Sequence, residues 1–222
     1  MRDSLAIAQN NDSTPVTRVI HPSILYFGTP VVLISTINPD GTPNLSPNLS
    51  PMSSAWALGD WVVLGMGLPG QGCQNLLRTK EAVINLPDPS LHRAVEAIAD
   101  TTGCREVPAY KKAMGYRHVA DKFALAALEE TPSEMVAAPR VAQCPLQLEV
   151  RLLAAHRGSP VDGKEADYVS LEMQVLRVHA HEDILCAGSD HIDTARWSPL
   201  LYVFRHYFGA GSKLGQNFRA AT

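Results

Sequence analysis

A few clusters combine residue types and spacings that could do chemistry. Gly65, Gly67 and Gly70 give the spacing G-x-G-x-x-G immediately before Gln71. A glycine-rich turn feeding a helix N-terminus presents unpaired backbone N–H groups and the positive end of the helix dipole, a seat for phosphate in any fold. Ser50-Pro51-Met52-Ser53-Ser54-Ala55-Trp56 sets small hydroxyl residues beside prolines. Exposed N–H and O–H groups there suit a phosphate or the polar edge of a planar ring, with Met52 and Trp56 as an apolar wall. A Ser-rich loop packed by one Trp accounts for the same residues equally well. His179 and His181 lie two apart, with Asp190-His191-Ile192-Asp193 close behind. These are metal-ligating types, but a strand end beside an Asp-rich turn explains them too, nothing fixes a third ligand, and no metal is expected. His118, after Tyr116 and Arg117, and His206, between Arg205 and Tyr207, stand among aromatics and cations, where an imidazole either orients a ligand or packs structurally.

Other chemistries are excluded or weakened. Neither a nucleophile elbow nor a P-loop is present. Cys73, Cys104, Cys144 and Cys186 are scattered, with no C-x-x-C pair, so they read as free thiols packed as small hydrophobes. With 19 Lys and Arg against 22 Asp and Glu, the net charge of −3 offers no basic grip for nucleic acid. Hydrophobic residues make up 45% and charged residues 18%, a globular composition. No apolar run approaches the roughly 18 to 20 residues that span a bilayer. Met1 to Ser13 has no apolar core for a signal peptide, so a cytoplasmic protein without membrane attachment is expected. Residues 1–18 read as a flexible tail and 19–222 as one domain.

The elements that must position these residues follow from local pattern. Val31 to Ile37 is a β-branched run suited to a buried strand, and Asn38-Pro39-Asp40-Gly41 predicts a hairpin. Asn44-Leu45-Ser46-Pro47 is repeated at once as Asn48-Leu49-Ser50-Pro51. Two prolines four apart cannot both sit in a central ladder, so an edge, a bulge or a loop is expected. A strand over Trp61 to Met66, a short helix over Gln71 to Lys80 and a strand over Glu81 to Leu86 follow. Asp88-Pro89 then caps a helix that carries Leu91, Ala94, Val95 and Ile98 on one face and is expected to end at Gly103. Tyr110 to Met114 and Asp121 to Leu128 read as further helical turns.

Leu146, Leu148, Val150 and Leu152 alternate with Gln147, Glu149 and Arg151, the period of a half-buried strand, and Tyr168 to His179 repeats it. After the G-x-G-x-x-G turn there is one short strand and then a helix opened at Asp88, not a second parallel strand. A dinucleotide fold is therefore outweighed by an antiparallel barrel, closed or split, with helices packed outside.

Taken in order, several segments resemble the flavin reductase-like family, the FMN-binding split barrels. They are Pro30 to Thr36, Asp40-Gly41, Pro51 to Trp56, the strand at 62–66, Gln71 to Thr79 and Ala82 to Pro87. Gly115-Tyr116-Arg117-His118, Asp121-Lys122-Phe123, Pro139-Arg140-Val141 and Cys144 to Glu149 continue the series. The resemblance covers about residues 21–208. It implies a mainly β Greek-key split barrel, a homodimer with FMN near the dimer interface, and FAD as the alternative flavin. It places Met52, Ser53, Ser54, Ala55 and Trp56 along the flavin ring, and Gln71 and Asn75 by the phosphate. The reaction implied is hydride transfer from NADH or NADPH to flavin, in the simplest case serving a monooxygenase partner. No residue is assigned as acid or base. His118, Lys122 and Arg140 are candidates to steer the nicotinamide dinucleotide by charge. His206 and Tyr207, in the aromatic block from Trp197 to Phe208, are candidates to line a substrate pocket or a dimer contact, though a core-packing strand or helix accounts for that block more readily.

Two departures stand out. The family carries Ser or Thr immediately after the position of Gln71, where this chain has Gly72 and then Cys73. The tandem tetrapeptide looks like four extra residues before the flavin loop. A flavin enzyme acting directly on a small organic substrate and a non-catalytic flavin carrier remain as alternative readings.

Overall fold

The computed structural model describes residues 17–21, 25–48, 52–54 and 59–215. The expected tail therefore lies, up to residue 16, outside the described residues, as do Ala55 and Trp56. The chain runs through β1 (Phe27–Pro30), β2 (Val32–Ile37), β3 (Pro43–Asn48) and β4 (Met52–Ser54), the last described for its backbone only. β5 (Trp61–Gly67), α1 (Gln71–Thr79) and β6 (Glu81–Leu86) come next. A 3₁₀ turn (Pro89–Leu91) leads into α2 (His92–Ala97), β7 (Thr101–Thr102), α3 (Ala109–Ala113), β8 (Arg117–His118) and α4 (Lys122–Ala126). β9 (Glu130–Thr131) and β10 (Arg140–Val141) precede a long hairpin of β11 (Leu146–Arg157) and β12 (Tyr168–Ala180). β13 (Leu201–Val203) and β14 (His206–Phe208) form a terminal hairpin that pairs with β1.

Seven of these strands make one antiparallel sheet in the order β3-β2-β6-β11-β12-β5-β4. Its two edges, β3 and β4, are consecutive in the chain. Seven flat strands would set those edges about 29 Å apart, at about 4.8 Å per step. The four steps from Asn48 to Met52 span at most about 14 Å. The sheet must therefore curl until its edges approach, and Asn48 Nδ2 donates to the Gly65 carbonyl on β5 at 3.0 Å. This is the expected split barrel with peripheral helices. Between β5 and α1 lies the G-x-G-x-x-G turn, but β6 returns antiparallel to β5 with β11 and β12 between them, so no dinucleotide fold is formed.

Apolar residues sort by face. Ile34, Leu64, Leu76, Ile84, Val150, Leu171 and Met173 fill the barrel. Leu33 and Leu45 point outward instead, into a second cluster with Val95 of α2, Ile98 just after it and Phe123 of α4. With a packed layer on each side, β2 is buried along nearly its whole length, which is why it reads as a continuous apolar run.

Two expectations are corrected. The helix from Asp88 stops at Ala97 rather than at Gly103, because Ile98 completes its apolar face and Thr101 and Thr102 then pair in parallel with Arg117 and His118. Gln147 and Glu149 do not face solvent: they are 3% and 0% exposed, beneath the segment from residue 129 to 145. Gln147 Nε2 donates to the Val141 and Cys144 carbonyls. Glu149 accepts the Glu134 and Met135 N–H groups and a hydrogen bond from His179 Nε2 at 2.6 Å. A polar residue at an alternating position is buried when a loop supplies its partners.

Candidate functional site

A cavity of about 190 Å³ opens where α1 begins, walled by β3, the β5–α1 turn, β7, α3 and the start of α4. α1 starts at Gly70 in an extended conformation (φ −78°, ψ 137°), with no side chain capping it and no acidic residue in its first turn. Its leading N–H groups therefore lack the side-chain acceptor that usually satisfies them. Gly103 lets the neighbouring loop press against this turn, since a Cβ there would lie 2.4 Å from Asn44 Oδ1 and 3.0 Å from Gln71 Cγ.

Two ammonium groups face the same space. Lys111 Nζ lies 4.0 Å from where a Cβ on Gly70 would stand and 5.5 Å from the Tyr116 ring centre, so it sits over the helix start with an aromatic face behind it. Lys122 lies on the cavity wall yet is only 3% exposed. Asp121 sets it there by capping α4, accepting the Ala124 N–H at 2.9 Å, while Phe123 and Ala126 lock the helix into the outer core. Among the described residues Lys122 has no hydrogen-bond or ion-pair partner. Burial pushes its pKa down from 10.5 to about 8, Lys111 pushes the same way, and Cys104 opposes them. Two cations and a helix N-terminus, without a counter-charge among the described residues, suit an anion with several oxygens.

The residues expected at the site divide. Gln71 and Lys122 line the cavity. Asn75 lies one turn deeper, 1% exposed, with both atoms of its amide engaged: Oδ1 accepts from Gln71 Nε2 at 2.9 Å, and Nδ2 donates to Thr36 and Asn38 at 3.1 and 2.9 Å. Through Oδ1 it orients Gln71. Met52, Ser53 and Ser54 pair with Leu64, Val63 and Val62, which sets Met52 two residues along the register from Met66 in the cavity wall. Ala55 and Trp56 lie outside the described residues. Sequence reasoning missed Ser46, Thr101, Thr102, Lys111 and Tyr116 as wall residues. Gly115-Tyr116 beside Lys111 and Lys112, just ahead of Lys122, was the available signal.

No protein-family model matches the chain. Over 203 residues it is 42% identical to the uncharacterized protein YdfE of Bacillus subtilis (strain 168), spanning 91% of this chain and 94% of that one. Among solved structures, the flavoredoxin of Desulfovibrio vulgaris (Miyazaki F) superposes with a TM-score of 0.72 at 18% identity, over 93% of this chain and all (100%) of that one. Nitrilotriacetate monooxygenase component B from Bacillus cereus gives 0.70 at 18% identity, over 91% and 100%. The chain belongs to the family of the Bacillus subtilis protein, and its fold is the flavin reductase-like split barrel.

The remaining candidates of this split barrel lie apart from the cavity. His118 is exposed on β8, paired through the backbone with Thr102 of the cavity wall. Arg140 donates to the Pro132 carbonyl and to Gln147 Oε1, bracing the segment over β11. His206 and Tyr207 border a wider, open concavity of about 530 Å³ with His92, Arg93, Glu96 and Arg205. There Tyr207 donates to Glu96 Oε2 at 2.9 Å and packs on Tyr202, fastening the terminal hairpin to α2. Burial and the Glu96 hydrogen bond push the Tyr207 hydroxyl pKa up. His179 is held by Glu149, and His181 Nε2 lies 3.0 Å from the Ala142 carbonyl. Among the described residues no three His, Cys, Asp or Glu side chains are grouped to hold a metal. No helix there is long and apolar enough to cross a membrane.

Proposed function

We propose that the protein is a flavin-dependent oxidoreductase that holds FMN by its phosphate in the cavity at α1 and accepts hydride from NADH or NADPH. The observation that carries this reading is Lys122, a largely buried lysine without a counter-ion among the described residues, on the wall of the cavity at which α1 begins and close enough to Lys111 to feel its charge. A folded chain keeps such a charge where a bound anion supplies the missing partner. The donor set fits a phosphate monoester: N–H groups of α1 for its oxygens, and two ammonium groups for its charge. FMN, when bound, supplies the two-electron acceptor. The chain's own task is then to anchor one end of the ligand, orient Gln71 through Asn75, and leave one ring face open to the nicotinamide. No side-chain acid or base is required for hydride transfer.

On the same reading the protein works as a cytoplasmic homodimer that passes reduced flavin to a monooxygenase; likeness to a Bacillus cereus protein named as a monooxygenase component supports the monooxygenase partner. Steady-state oxidation of NADH or NADPH by the purified protein tests it. Turnover that saturates with FMN and falls at least tenfold in Lys122→Met is expected; turnover independent of both would overturn it. Similarity to a protein named flavoredoxin favours a second reading, an electron carrier, which predicts bound flavin without nicotinamide turnover.

A further inference from the structure

The tetrapeptide Asn44-Leu45-Ser46-Pro47 has a role that the fold alone does not require. Ser46 and Asn44 sit on β3 on the side facing α1, while Leu45 between them points into the outer core. A Cβ added to Gly72, in the first turn of α1, would lie 3.0 Å from Ser46 Oγ, 3.4 Å from Ser46 Cβ and 3.5 Å from Asn44 Nδ2. The volume that a side chain at position 72 would take is thus already filled, from another strand, by a hydroxyl. That hydroxyl is also directed: Asn44 Nδ2 donates to Ser46 Oγ at 3.2 Å, and Asn44 is itself held at 2% exposure beside Thr36. Ser46 Oγ thereby already accepts one hydrogen bond. Among the described residues its own O–H has no acceptor, and Ser46 lines the cavity that Lys122 faces.

We propose that Ser46 is the hydroxyl donor of the anion site, standing on β3 in place of a side chain at position 72 and making the site select a phosphorylated ligand over its unphosphorylated form. The inference rests on the reading that a phosphate sits at the start of α1. It accounts together for Gly72, which must lack a side chain for Ser46 to approach, and for the orientation of Ser46 by Asn44. It also removes the apparent deficit of the turn: the hydroxyl is present, but supplied across the cavity.

Titrating FMN and riboflavin into the purified protein by flavin fluorescence tests this, because riboflavin lacks only the phosphate. Ser46→Ala is expected to weaken FMN about tenfold, as for loss of one hydrogen bond to a charged group, and to leave riboflavin unchanged. Gly72→Ser alone is expected to weaken FMN by collision with Ser46. The double variant Ser46→Ala with Gly72→Ser restores the hydroxyl from the helix side and is expected to regain most of the affinity. A Ser46→Ala protein that binds FMN as tightly as wild type, while Lys122→Met does not, overturns the proposal. So does a Ser46→Ala protein in which both flavins weaken equally. Should wild type bind neither flavin, the flavin reading fails, and calorimetric titration with inorganic phosphate decides. Weaker phosphate binding in Ser46→Ala then supports Ser46 as the donor, whereas equal binding, or none in wild type, overturns it.

Discussion

Lys122 concentrates the opposing demands on this protein at one residue. Burial disfavours its charge, so its folded pKa of about 8 lies below the ordinary 10.5. The sign of the consequence follows from linkage. Below about pH 8 both the folded and the unfolded chain carry the proton, and the folded state bears the full penalty of a buried ammonium. Between pH 8 and 10.5 the folded chain has released the proton, so the ligand-free protein gains stability as pH rises. Lys122→Met is accordingly expected to stabilise the ligand-free protein by about 1 to 3 kcal/mol at neutral pH, measured by urea denaturation, while weakening FMN at least tenfold. Affinity for FMN is expected to fall as pH rises through about 8, when the ammonium is lost. A loss of stability in Lys122→Met, or an affinity flat across that window, would show that Lys122 is not an unpaired cation awaiting an anion. In the sequence Lys122 stood out by charge alone. Its burial comes from the Asp121 cap and the Phe123 anchor, and its company with Lys111 and α1 from tertiary packing that no local pattern encodes.

At the scale of elements, local periodicity was sufficient where one element decides its own burial. The run of β2, the Asp40-Gly41 turn, the start of α1, and the paired alternation of β11 and β12 could all be read from the chain because each is specified by its own local residues. It was insufficient where a neighbouring loop decides. Gln147 and Glu149 carry the solvent-facing pattern yet are buried, because residues 129 to 145 fold over them and offer N–H and carbonyl partners. The family resemblance places Asn75 by the phosphate, but it gives no sign that Thr36 and Asn38, far away in sequence, accept from its amide nitrogen. Burial raises the Glu149 pKa, but the Glu134 and Met135 N–H groups and His179 outweigh it and hold the carboxyl below its usual 4.5. A depressed carboxylate contributes stability that is complete above the unfolded value and lost as pH falls through the folded one. Glu149→Gln is expected to cost about 2 to 3 kcal/mol at neutral pH and to flatten the acid side of the stability profile. A denaturation midpoint in Glu149→Gln that fell with acid as steeply as in wild type would place the acid sensitivity elsewhere.

At the scale of the whole molecule, closure of the sheet assembles the site. Because β3 and β4 are consecutive strands at opposite edges, curling the barrel brings the tetrapeptide against α1, and α3 and α4 then cover the opening with Lys111 and Lys122. The fold was legible from the order of strands and turns, whereas the cavity, drawn from five separated segments, was legible only in part. The central claim is that this assembled space holds FMN through its phosphate. The most direct test is to mix purified protein with excess FMN, remove free ligand by gel filtration, and record the flavin absorption of the protein peak, with riboflavin as the parallel sample. A protein that emerges yellow with FMN at near-stoichiometric occupancy and colourless with riboflavin is the predicted result. A protein colourless after both, or coloured equally by both, would contradict it.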